Sequence, residues 1–131
     1  MQVQLTKIFT FEMAHALPGY DGACRNLHGH SFRLEVTISG IPLEQPGHPK
    51  NGMVMDFKDL KKIVKESVIE IVDHALLLPE SFAPELVAAL RVQFEKVVTV
   101  PFQPTCEHVI VWFARQIQPN LPEHIRLRKL V

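Results

Sequence analysis

Two stretches near the N-terminus alternate apolar and polar side chains, and they constrain the fold more than any other feature of the chain. Val3, Leu5, Phe9, Phe11 and Met13 share odd positions, with Lys7 and Ile8 breaking the pattern. Phe32, Leu34, Val36 and Ile38 alternate with Ser31, Arg33, Glu35 and Thr37. A period of two belongs to strands with one buried face, because successive side chains leave a strand on opposite sides. Between the runs, Pro18-Gly19-Tyr20-Asp21-Gly22 supplies turn chemistry. Two long strands joined this way pair most simply as antiparallel neighbours.

The remainder reads as helices and shorter strands. Gly40 to Gly52, rich in Pro and Gly, predicts a loop or wide hairpin connection, with Met53-Val54-Met55 a short strand leaving it. Asp56 suits the N-cap of a helix from about Phe57 to Val72, where Phe57, Leu60, Ile63, Val64, Val68 and Ile71 keep helical spacing. Pro84 to Phe94 predicts another helix, with Pro in its first turn, and Val97 to Val100 a short strand. Pro104-Thr105 leads into a helix from about Cys106 to Gln118, and Ile125 to Val131 returns as a strand. The regular βαβ alternation of a doubly wound sheet is missing. The expectation is one α+β domain over residues 1–131, an antiparallel sheet with two main helices on one face.

Charge narrows the function. Lys plus Arg and Asp plus Glu are equal at 14 each, which argues against a nucleic-acid binder, since such proteins carry a basic surplus. A local basic pocket for one anionic small molecule stays open. No apolar run approaches the roughly 18 residues of a bilayer span, and the N-terminus does not read as a signal peptide. The two cysteines, Cys24 and Cys106, form no disulfide framework, so a cytoplasmic protein with reduced thiols is expected.

Three of the seven histidines cluster early. His28 and His30 are two apart at the start of the second strand, so both rings project from one face, the face of Phe32 and Leu34. His15 ends the apolar face of the first strand. Antiparallel pairing brings these ends together, giving three imidazole ligands and a vacant fourth position, the pattern of a catalytic zinc site. Cys24, four residues before His28, is either a thiolate base favoured by a nearby cation and Arg25 or a fourth ligand that would close the site. Asp73-His74 can form an oriented imidazole, although neighbours in sequence need not touch. Glu107 suits the helix dipole at the start of the last helix. His48, His124 and Cys106 read as having no role.

Taken together these motifs resemble the 6-pyruvoyl-tetrahydropterin synthase family. They are His15 after an aromatic-rich strand, Cys24-x-x-x-His28-Gly29-His30, Gly52-x-x-x-Asp56-Phe57, Asp73-His74 and Pro104-Thr105-x-Glu107. The resemblance implies a T-fold whose units assemble as trimers and hexamers, closing their sheets into a barrel. It implies Zn2+ on His15, His28 and His30, Cys24 as general base, and Asp73 and His74 as a proton relay from a neighbouring subunit. Thr105 and Glu107 would bind the substrate, with the Glu107 carboxylate on the guanidine-like edge of the pterin. The substrate implied is 7,8-dihydroneopterin triphosphate, and relatives divide by product. One group forms 6-pyruvoyl-tetrahydropterin; the other releases acetaldehyde and forms 6-carboxytetrahydropterin for the queuosine and deazapurine pathway. The three residues between Cys24 and His28 resemble the second group. A zinc-stabilised protein without activity, and a lapsed relative that binds zinc and pterin, are the alternatives. The chain departs from the family pattern at Leu77-Leu78, at His108 and in a long Pro79–Gln103 segment. It also stops at Val131, about where the family's last strand delivers another pterin-binding glutamate.

Overall fold

A computed structural model describes residues 1–131. Strands β1 (Val3–His15) and β2 (His28–Gly40) form the expected long antiparallel pair, in register from Val3 opposite Gly40 to His15 opposite His28. Along β1 the odd residues Phe9, Phe11, Met13 and His15 are buried while Thr10 and Glu12 are exposed. The sheet therefore has a closed face, which carries the core, and an open face.

The closed face is covered by two helical layers. The first is a continuous rod made of α1 (Phe57–Val64), a π-helical turn (Lys65–Ile69) and α2 (Glu70–Val72). Asp56 caps it by accepting the Lys58 N–H at 2.8 Å, as its position in the sequence suggests. Leu60, Val64, Val68 and Val72 are all fully buried. Strict four-residue spacing drifts by about 40° per step around an α-helix of 3.6 residues per turn. The wider π turn takes up that drift and keeps one stripe on the sheet. The second layer is α4 (Cys106–Ile117), whose Val109, Phe113 and Ile117 enter the same core. Burial of each such side chain contributes about 1.5–3 kcal/mol.

The sheet runs in the order β4-β3-β1-β2-β5, with β3 at Ala75–Pro79, β4 at Val97–Val100 and β5 at Arg126–Leu130. Here the structure corrects the expectation of a purely antiparallel sheet. β3 pairs parallel to β1, and β4 pairs parallel to β3. The cause is α3 (Pro84–Gln93), which returns the chain between β3 and β4 and makes one βαβ unit of the Pro79–Gln103 segment. Leu78 and Ala16 lie on the open face, and with Val97 and Val87 of α3 they form a small second core there. Two main helices thus cover the closed face, while α3 covers one edge of the other.

Met53-Val54-Met55 is not a strand. Gly52, at a φ of 83°, turns the chain so that its N–H reaches Leu43 O at 2.7 Å and the Leu43 N–H reaches Met53 O at 2.9 Å. Only Val54 of the three is buried. No helix is long and apolar enough to cross a membrane.

Candidate metal and active site

The pairing of His15 with His28, and of Met13 with His30, places three imidazoles on the closed face at one end of the sheet. Their ring centroids lie 4.5, 5.2 and 4.8 Å apart, and their ligand nitrogens all lie within 4.8 Å of one another. Two of the rings are oriented by backbone. His15 Nδ1 meets Pro104 O at 2.8 Å, and His28 Nδ1 meets Asn26 O at 2.7 Å. A carbonyl only accepts, so both Nδ1 atoms carry the proton and both Nε2 atoms present lone pairs.

Those two Nε2 atoms face each other at 3.0 Å. Two lone pairs at that distance repel unless a cation stands between them. Burial pushes the His15 pKa down, against the opposing pull of the Pro104 carbonyl, and the neighbouring His28 and His30 lower it further. A divalent metal suits this pair of nitrogens. Two nitrogens at Zn–N bonds of about 2.0–2.1 Å in a tetrahedral site sit roughly 3.3–3.4 Å apart, within a few tenths of an ångström of the separation here. Three converging imidazoles, two of them oriented by backbone carbonyls, are a suitable donor set for zinc.

Cys24 lies in a short 3-10 turn, Ala23–Arg25, tied to the end of β1 by the Leu17 N–H, which reaches Cys24 O at 3.2 Å. Its side chain is not among the groups that converge with the histidines. The cluster therefore has three imidazoles, and the Cys24 thiol is free and exposed. Cys106 opens α4, where burial, then Glu107 and, least, Cys24 raise its thiol pKa against a lowering backbone hydrogen bond. Thr105 is the N-cap of α4, accepting the His108 N–H at 3.3 Å, and Glu107 is exposed in the first turn. His108 turns back to Gln103 O at 2.9 Å and packs on Phe102.

Asp73 and His74 do touch: Nδ1 of His74 lies 3.0 Å from Asp73 Oδ1. The same carboxylate oxygen accepts the Glu12 N–H at 2.9 Å. That bond, foremost, holds the Asp73 carboxyl below the usual carboxylate range, helped by His74 and Lys96. His74 adopts the left-handed φ of 59°, uncommon for a residue with a side chain, and its N–H is held by Glu12 O at 2.6 Å. The His74 ring is largely exposed and lines a cavity with Glu12 and Ser31, residues of the open face. Within one chain the dyad makes no hydrogen bond to the histidine cluster.

The family model described as 6-pyruvoyl tetrahydropterin synthase matches residues 4–131. The chain belongs to this family. A protein of Haemophilus influenzae named 6-carboxy-5,6,7,8-tetrahydropterin synthase is 43% identical over 108 residues, covering 81% of this chain and 75% of its own. A dihydroneopterin monophosphate aldolase of Pyrococcus furiosus is 30% identical over 99% of this chain and 88% of its own. Among solved structures, the 6-pyruvoyl tetrahydropterin synthase of Caenorhabditis elegans has a TM-score of 0.62 at 22% identity, covering 98% of this chain and 96% of that one. A protein of Wolinella succinogenes has a TM-score of 0.77 at 20% identity, covering 99% and 91%. These neighbours establish the T-fold for this member of the family. The long Pro79–Gln103 segment, a departure in sequence, is accommodated as the βαβ unit at one edge of that fold.

Proposed function

We propose that the chain catalyses the zinc-dependent conversion of 7,8-dihydroneopterin triphosphate to 6-carboxy-5,6,7,8-tetrahydropterin, with loss of acetaldehyde and triphosphate. The observation that carries this reading is the set of three converging imidazoles, two with Nε2 atoms 3.0 Å apart. The Haemophilus relative directs the choice of product. The activity would belong to the cytosol, where Cys24 stays reduced.

Zinc on His15, His28 and His30 would supply Lewis-acid polarisation of a substrate oxygen. Cys24 takes a proton from the substrate side chain as general base. His74, oriented by its bond to Asp73, donates or accepts the second proton, and Asp73 stabilises the imidazolium that results. Thr105 and Glu107 hold the pterin, the Glu107 carboxylate accepting its paired N–H donors.

Within one chain the Asp73–His74 dyad makes no hydrogen bond to the histidine rings, although His74 and His30 line one cavity together with Glu12 and Ser31. We therefore read the enzyme as a homo-oligomer, a trimer or hexamer, in which a neighbouring subunit brings its dyad to the histidines of the first. Mixing tests this. Cys24→Ala and His74→Ala chains, each inactive alone, are expected to regain activity when dissociated and reassembled together, since about a quarter of randomly assembled sites would carry neither change. No recovery in demonstrably mixed oligomers would place both groups in one chain.

The reaction itself is tested by incubating the zinc-loaded protein with 7,8-dihydroneopterin triphosphate and analysing the products by mass spectrometry. Carboxytetrahydropterin with acetaldehyde is the expected result. Pyruvoyltetrahydropterin would assign the pyruvoyl-forming activity instead, and unchanged substrate from zinc-replete protein would leave a non-catalytic zinc- and pterin-binding relative. Because one relative is named a monophosphate aldolase, dihydroneopterin monophosphate serves as the competing substrate.

A further inference from the structure

The open-face cavity beside His74 has a volume of about 400 Å³ and contains one carboxylate, that of Glu12. Glu12 and Ser31 are opposed across β1 and β2, and the Ser31 hydroxyl donates to Glu12 Oε2 at 2.7 Å. This bond restrains the carboxylate and leaves Oε1 with no partner in the chain. Asp73 is differently placed, because its Oδ1 already accepts from both the Glu12 N–H and the His74 ring. Gly29 also lines the cavity, where a Cβ would stand 3.4 Å from Met13 O.

We propose that Glu12 is a ligand-binding carboxylate of this cavity, held by Ser31 so that Oε1 accepts hydrogen bonds from the hydroxyls of the substrate side chain. The proposal rests on the functional reading above and extends it to the polyol. A carboxylate is an acceptor only, so it selects O–H donors and repels phosphate oxygens, which orients the hydroxylated carbons toward β1 and the triphosphate away from it. The cavity also brings the hydroxyls beside the His74 ring, where protons must move. Glu12 further contributes both backbone groups that hold the dyad, so its strand position serves dyad and ligand together.

Binding of two fluorescent pterins, neopterin and 6-methylpterin, separates this role from a structural one. Glu12→Gln retains shape and can still accept from Ser31, but loses the charge. Neopterin binding is expected to weaken about 10- to 100-fold, the value of a charge-assisted hydrogen bond, with zinc content unchanged. Binding of 6-methylpterin, which has no side-chain hydroxyl, is expected to be unaffected. Ser31→Ala should weaken neopterin binding in the same direction and by less. Unchanged neopterin affinity, equal weakening of both ligands, or no neopterin binding by the wild type would each overturn the proposal. Absence of turnover by a wild-type protein that binds neopterin Glu12-dependently would sink the functional reading while leaving Glu12 in place.

Discussion

His28→Ala is expected to release the metal and reduce turnover to the level of the metal-free protein. His28 is the cleaner choice because it begins β2 and is only half-buried, whereas His15 is 4% exposed and its loss would leave a void and an unpaired Pro104 carbonyl. Removing one imidazole leaves two protein ligands for an ion that ordinarily takes four donors. The fall in affinity should exceed the about 10- to 100-fold typical of losing an outer-shell partner. Metal content after dialysis against a weak chelator measures this, with the unfolding temperature as a second readout. Chelation should lower that temperature in the wild type, because binding to the folded state alone adds stability, and should have little effect on His28→Ala. Stoichiometric zinc retained by His28→Ala would remove this residue from the site.

The histidine convergence was legible because strand geometry is periodic. Side chains at one parity share a face, and antiparallel pairing brings the end of one strand to the start of the next, so the sequence alone puts His15, His28 and His30 together. The Asp73–His74 contact was less legible. It depends on a left-handed backbone at His74, which no local pattern around a non-glycine residue announces. The parallel pairing of β3 and β4 follows from α3 crossing to the open face. α3 carries no clear single stripe, with Leu86 and Val92 both exposed, so periodicity could not say which side of the sheet it would cover. Met53-Val54-Met55 looked like a strand because it is apolar, but the turn at Gly52 and its bonds to Leu43 decide its path. Glu12 was invisible for an opposite reason. A charged residue at an even position of β1 reads as a solvated side chain, and only the tertiary bonds to Asp73, His74 and Ser31 set it apart.

Cys24→Ala is expected to keep the zinc and lose about 10²- to 10⁴-fold in turnover, the contribution of a positioned general base. The expectation follows from where the residue stands. The turn that carries Cys24 is tied to the chain just beyond β1 by the Leu17 N–H on the Cys24 carbonyl, a backbone bond that the substitution preserves, while its side chain is not among the groups that converge with the imidazoles. A fourth-ligand cysteine predicts the reverse: metal lost with the thiol, and folding weakened with the metal. Metal content and turnover of the same Cys24→Ala preparation therefore separate the two roles. Serine sharpens the comparison, since a hydroxyl of similar size is far less acidic than a thiol and cannot serve as the same base. Cys106→Ser is the companion variant. Its thiol is raised in pKa, foremost by burial, and should be dispensable for turnover, so a loss of activity there equal to that of Cys24→Ala would assign the base to the wrong sulfur.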